Sequence, residues 1–248
     1  MRCLVFAKRV ARELLRDPLS YVFCLGFPIF MLLLFAVINA CMPAEAQMTI
    51  FRLESITPGI GMFGLTFIML FVAIQISKDR ETSLLMRLYT SPMRALDFVL
   101  GYAMPALVIA LAQMVICFAA AAVIGLFTGE SLPLAGSVLS ILSLLPSAVL
   151  FIALGILFGS LLSDKAAPGV SSIFITASSL MGGIWMPLDT MESLRRVCAA
   201  FPFYHAVEAA RKAMNGGGSL WTNELIVAAY AAALAVLALL VFRKKMKI

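Results

Sequence analysis

The sequence predicts an all-α integral membrane protein, and three observations predict it. Of its 248 residues, 62% are hydrophobic and 13% are charged, roughly half the charge of a soluble domain at about 25%. The apolar residues fall in six runs, each close to or above the ~20 residues that span a bilayer core. The basic residues gather at the ends of those runs, which is how membrane orientation is encoded. A net charge of +6 therefore points to topology rather than to nucleic acid. One membrane domain, 1–248, accounts for the whole length.

Residues 1–18 carry Arg2, Lys8, Arg9, Arg12, Glu13, Arg16 and Asp17. On a helical wheel Arg9, Arg12, Glu13 and Arg16 share one face, opposite Leu4, Val10, Ala11, Leu14 and Leu15. This predicts an interfacial amphipathic helix on the inner leaflet, with its cationic face toward anionic lipid. The first span follows at 19–41, bent by Pro28. It ends at Ile38-Asn39-Ala40-Cys41, loosely like a lipoprotein cleavage site, but the run is longer than a signal core of about 7–15 residues.

The second span, 58–76, places Phe63, Phe67 and Phe71 on one helical face, as packing or as the lining of a pathway for large apolar cargo. Residues 77–97 form a charged island. It holds Lys78, Asp79, Arg80, Glu81, Arg87, Arg94 and Asp97, with Leu84, Leu85 and Leu88 at helical spacing. Thr90-Ser91-Pro92 interrupts that amphipathic pattern, because proline lacks a backbone donor and disfavours helix in the residue before it. Leucines on such a surface helix need lipid or a protein partner to bury against.

Span three is predicted at 98–127 and span four at 135–162, the latter with Pro146 and a Gly155/Gly159 pair that permits close helix approach. Ser163-Asp164-Lys165 is a brief polar turn. Span five, 168–186, is rich in hydroxyls (Ser171, Ser172, Thr176, Ser178, Ser179), which satisfy themselves on the helix backbone or line a polar pathway. Residues 187–221 are too polar to span. They predict two short amphipathic helices separated by Phe201-Pro202-Phe203, dipping into the membrane as a re-entrant hairpin between Trp185 and Trp221. Span six is 222–242, followed by Arg243, Lys244, Lys245 and Lys247. With the N-terminus inside, the inner segments hold fourteen Lys and Arg and the outer ones five. That places both termini and the island in the cytoplasm, although the two groups of four in the last third could exchange sides without changing the count.

No catalytic constellation is present. His205 is the only histidine, and the five cysteines (Cys3, Cys24, Cys41, Cys117, Cys198) have no metal-ligand spacing; Cys41 and Cys198 fall on the same predicted face. There is no G-x-x-x-x-G-K-[ST] phosphate loop, so this chain does not hydrolyse ATP. Every acidic residue lies in or beside a predicted loop, which argues against an ion-coupled carrier.

Six spans, no energy source and an amphipathic cytoplasmic island together resemble the membrane subunit of type-2 ATP-binding-cassette (ABC) exporters, the family of drug, antibiotic and polysaccharide permeases. Glu81, Leu84, Leu88, Ser91-Pro92, Phe98 and Gly101 match that family's pattern, with Ser83 where glycine is usual and Tyr102 where lysine is usual. Residues 183–188 with Pro202, Tyr204, Glu208 and Arg211 are similar to its outer re-entrant segment, with Glu192 where a second proline is common. The resemblance implies a single permease domain in a bacterial inner membrane, paired with a second permease subunit and driven by a separate ATP-binding subunit that carries the ATP and Mg. It implies that Glu81, Leu84, Leu85, Arg87, Leu88 and Pro92 dock that subunit as a coupling helix, with a smaller contact from Asp164 and Lys165. Spans two and five would line the substrate pathway with Phe63, Phe67, Phe71, Ser172, Thr176 and Ser179. A scaffold or accessory protein whose island binds a partner without transport is the alternative function.

Overall fold

The computed structural model describes residues 2–42, 49–82, 94–188 and 191–246. Among these the chain is all helix, with five helices long and apolar enough to cross a membrane and a sixth, shorter apolar one. Helix α1 (Arg2–Arg16) leads through α2 (Pro18–Tyr21) and a π-helical turn (Val22–Gly26) into α3 (Phe27–Cys41). The wide turn lies immediately before Pro28, whose ring nitrogen has no hydrogen to donate to the preceding turn. Val22–Cys41 is the first long apolar helix.

Helix α4 (Leu53–Glu81) is longer than the predicted second span at both ends. Residues 77–81, expected at the start of a separate surface element, are its last turn. It is also the centre of the molecule, buried along most of its length. Five neighbours explain this: α3, α5 (Ala95–Thr128), α7 (Leu145–Leu161), α8 (Ala167–Met181) and the helix Pro202–Asn215 all pack on it. The α4–α7 contact depends on the glycine pair. A Cβ at Gly155 would lie 2.7 Å from the Met69 carbonyl oxygen, and one at Gly159 would lie 2.8 Å from that of Ala73.

The predicted fourth span divides at Leu144 into α6 (Leu134–Ser143) and α7, because Pro146 cannot complete the ladder across the junction. The predicted fifth span is the 15-residue α8, which ends at Gly182. At 1.5 Å per residue it is ~22 Å long, short of the ~30 Å hydrocarbon core. Gly183 stops it by adopting φ 61°, and a side chain there would meet Leu188. Helices α9 (Glu192–Cys198) and α10 (Pro202–Asn215) are the two short helices expected, but residues 199–201 separate them rather than Phe201-Pro202-Phe203, because Pro202 and Phe203 begin α10. Helix α11 (Trp221–Met246) carries Arg243, Lys244 and Lys245 in its last turn, where cations complement the helix dipole. All five cysteines are free thiols; Cys41 is exposed and Cys198 buried.

Candidate functional site: the Glu81 end of helix α4

The last turn of α4 carries Asp79, Arg80 and Glu81, and each reaches a different part of the chain. Asp79 is nearly fully buried. Its Oδ1 and Oδ2 accept from Arg9 Nη2 (3.0 Å) and Nη1 (3.3 Å) of α1, the two-oxygen geometry that makes guanidinium–carboxylate pairs strong. The Tyr102 hydroxyl of α5 donates to Asp79 Oδ2 at 2.6 Å. Arg9 Nη2 also pairs with Glu13 at 2.7 Å, and Gln75 Nε2 donates to Glu13 Oε2 at 2.6 Å. Burial works to lower the Arg9 pKa, but the hydrogen bond and charge of Asp79, with Glu13 behind them, raise it on balance. A carboxylate near a helix C-terminus is unfavourable by itself; the guanidinium offsets it.

This pairing corrects the reading of α1. Arg9 does not face lipid headgroups but turns inward, which rotates the helix. Phe6, Ala7, Val10 and Leu14 are buried, whereas Leu4 and Leu15, grouped with Val10 and Leu14 on the apolar face, are exposed. Phe6 decides the register. Its ring packs edge-on against Phe98 and Tyr102, 5.3 and 5.0 Å between centroids, in space left open by Gly101, where a Cβ would collide with the Phe6 ring.

Arg80 Nη1 donates to the carbonyls of Gly159 (2.8 Å) and Leu162 (3.2 Å), closing the C-terminus of α7 with a cation. Glu81 Oε1 accepts the backbone N–H of Asp164 at 2.8 Å. Two residues expected to face a partner, Glu81 and Asp164, therefore hold each other across 83 positions. Lys165 beside them is exposed. Leu84, Leu85, Arg87, Leu88 and Pro92 lie outside the described residues.

The six residues expected to line a pathway are in two places. Phe63, Phe67 and Phe71 are buried under the first apolar helix. Phe23 sits 5.5 Å from Phe67, Phe27 sits 5.8 Å from Phe63, and Trp185 meets Phe63 edge-on at 5.2 Å. On α8, Ser172 and Thr176 are exposed and Ser179 is buried. Their hydroxyls donate to the carbonyls of Pro168, Ser172 and Thr176, so toward a ligand each offers only an acceptor.

At the other end of α4, Arg211 of α10 donates to the carbonyls of Ser55 (3.0 Å) and Gly183 (3.1 Å), tying the 182–215 region to the first turns of α4. His205 fastens the same region to α11. Its Nε2 faces the Ala199 carbonyl and its Nδ1 faces Asn223 Oδ1, both at 2.9 Å. A neutral imidazole satisfies this pair if the Asn223 amide presents its NH₂, an imidazolium if it presents its oxygen.

Sequence reasoning did not find Arg9, Asp79, Arg80 and Tyr102 as one constellation. The available signal was Tyr102 in a lysine position directly after the matched Gly101.

The family described as ABC-2 type transporter matches residues 1–215. A Bacillus subtilis (strain 168) protein described as "Putative transport permease YvfS" is 34% identical over 84 residues, a stretch covering 34% of this chain and 34% of that protein.

Proposed function

This chain belongs to the ABC-2 type transporter family, and on that premise we propose that it is the transmembrane subunit of an ATP-driven exporter. It is a multi-pass membrane protein, and α8 serves as a short sixth span. In a bacterial inner membrane both termini and the island face the cytoplasm, as the surplus of Lys and Arg on those segments supports, and α9 and α10 form an outer re-entrant hairpin. Two permease subunits enclose the pathway, and a separate subunit supplies the ATP, Mg and phosphate loop that this sequence lacks.

The single observation that carries the coupling role is the engagement of α1, α5, the end of α7 and the 163–165 turn by three consecutive residues, Asp79, Arg80 and Glu81. A load applied to the island reaches all four elements through one helical turn. Leu84, Leu85 and Leu88 bury in the ATP-binding subunit, Arg87 and Pro92 fix the docking register, and Lys165 adds a second contact; Glu81 and Asp164 link these two docking segments. We assign the pathway to α4 and α8, lined by Phe63, Phe67, Phe71, Ser172, Thr176 and Ser179. Two exposed hydroxyls support the α8 side, and cargo reaches the phenylalanines once the first span moves off them. Drug-like or antibiotic amphiphiles suit such a mixed lining.

Co-purification tests the proposal. The wild-type chain should retain an ATP-binding subunit and stimulate its hydrolysis, and Leu84→Asp with Leu88→Asp should abolish both. If no such subunit associates, or if the double variant changes nothing, the proposal fails and the scaffold reading takes its place.

A further inference from the structure

At the Leu53 end of α4, Glu130 holds three segments together. Its Oε1 accepts from Asn39 Nδ2 of α3 at 3.1 Å, and its Oε2 accepts from the backbone N–H of Leu53, the first residue of α4, at 2.8 Å. Glu130 itself lies just beyond α5, and its backbone packs so closely on Gly125 that a Cβ there would collide with its carbonyl oxygen.

A cavity of about 240 Å³ opens at this junction, lined by Ala36, Asn39, Phe51, Leu53, Thr128 and Glu130 among others. A second, of about 290 Å³, adjoins it at Glu130 and is lined also by Arg52 and Glu54. A water occupies roughly 30 Å³ of liquid, so the first cavity has room for a small organic group.

Asn39 is 9% exposed, and its Oδ1 is buried with no hydrogen-bond partner among the described residues. The amide cannot simply be reversed, because that would aim Oδ1 at a carboxylate oxygen. The site therefore contains an acceptor that needs a donor, next to a carboxylate. The C-terminal turns of α3 and α5 deliver the negative ends of two helix dipoles to the same place, whereas the positive end of α4 is already met by Glu130. Among the described residues no group of three or more His, Cys, Asp or Glu could hold a metal, and one amide oxygen with one carboxylate falls short of the six or more oxygens a hard cation takes. A primary ammonium fits better. It brings three N–H donors on one apolar stem, and Ala36, Phe51 and Leu53 supply an apolar wall.

We propose that this cavity binds a primary ammonium group, held by Asn39 Oδ1 and the Glu130 carboxylate. The group belongs either to an aminophospholipid headgroup or to a soluble amine.

The test uses the full chain in phosphatidylcholine nanodiscs. Unfolding is followed by Trp185 fluorescence in a Trp221→Phe background, and ethylammonium chloride is titrated against tetramethylammonium and sodium chloride at equal ionic strength. Ethylammonium should raise Tm by about 3–6 °C at ~10 times its Kd, saturably, and the other two salts should not. Asn39→Leu should lose the shift and Asn39→Asp should tighten binding about tenfold; the second variant decides the matter if the first does not fold. An equal shift with tetramethylammonium or sodium, no shift with ethylammonium, or a shift that survives Asn39→Leu would overturn the site. In phosphatidylethanolamine nanodiscs, disappearance of the ethylammonium response supports the site with a lipid occupant, and persistence supports it with a soluble amine. Failure here leaves the transport reading intact, since neither Asn39 nor Glu130 belongs to the Glu81 end of α4.

Discussion

At the Glu81 end of α4, the Asp79 carboxylate meets a guanidinium, a tyrosine hydroxyl and the edge of a glutamine network. At the Leu53 end, among the described residues, the Glu130 carboxylate meets only a neutral amide and a backbone N–H, borders two cavities and stands beside an unpartnered oxygen. Both acids join helices remote in sequence. The first is closed, charge-compensated and satisfied, as a part that transmits force must be. The second keeps polar capacity in reserve, as a part that receives a ligand must. In the roles proposed above, similar chemistry would give a joint in one place and an open site in the other, with neighbouring charge deciding which.

Substitutions that remove one side of this comparison should differ in size. Asp79→Ala leaves Arg9 without its bidentate partner and removes the carboxylate that accepts from the buried Tyr102 hydroxyl. It should cost about 2–4 kcal/mol, the lower part of that range reflecting the partial exposure of Arg9, and appear as a large drop in Tm in lipid. Gly101→Leu keeps every charge but drives a side chain into the Phe6 ring, and should cost about 1–3 kcal/mol. It should also free α1, so that Cys3 reacts faster with maleimide. In the wild type that thiol is slowed, its pKa raised by burial and then by the charge of Asp97. Glu130→Gln should cost about 1 kcal/mol or less, because the amide oxygen still accepts from Leu53 N–H and the Asn39 amide can turn over to accept from the new NH₂, which leaves the charge at the helix N-terminus as the main loss. If Glu130→Gln proved as damaging as Asp79→Ala in thermal unfolding, the contrast between the two ends would collapse.

The sequence made one end more legible than the other. The apolar character of the long helices, the Gly155/Gly159 contact and the pair of short helices after α8 are all periodicity or composition, which local sequence records. The partners of the charges are not local. Arg9 and Asp79 are 70 positions apart, and no feature of α1 alone says that its arginine turns inward; the helical wheel accordingly put Leu4 and Leu15 on the wrong side. Glu130 and Leu53 are 77 positions apart, and a lone glutamate in a short connection looks solvated. The Phe63, Phe67, Phe71 stripe was plain as a stripe, but its cover by Phe23, Phe27 and Trp185 depends on how the first helix crosses α4. Span five was overestimated because residues 182–186 remain apolar after Gly182-Gly183 has stopped the helix.

The account rests on load passing from the island through Asp79 to the rest of the membrane domain. Trp185 can report its arrival, since it packs on Phe63 near the other end of α4 and stacks on Phe35 of α3. The decisive measurement is the ATP-induced change in Trp185 fluorescence, in a Trp221→Phe background, for the chain reconstituted with its ATP-binding subunit. Asp79→Asn should leave the complex assembled and reduce that change at least roughly fivefold, a coupling loss of about 1 kcal/mol, with Asp79→Glu restoring part of it. An assembled Asp79→Asn complex whose Trp185 responds to ATP as the wild type does would contradict the account.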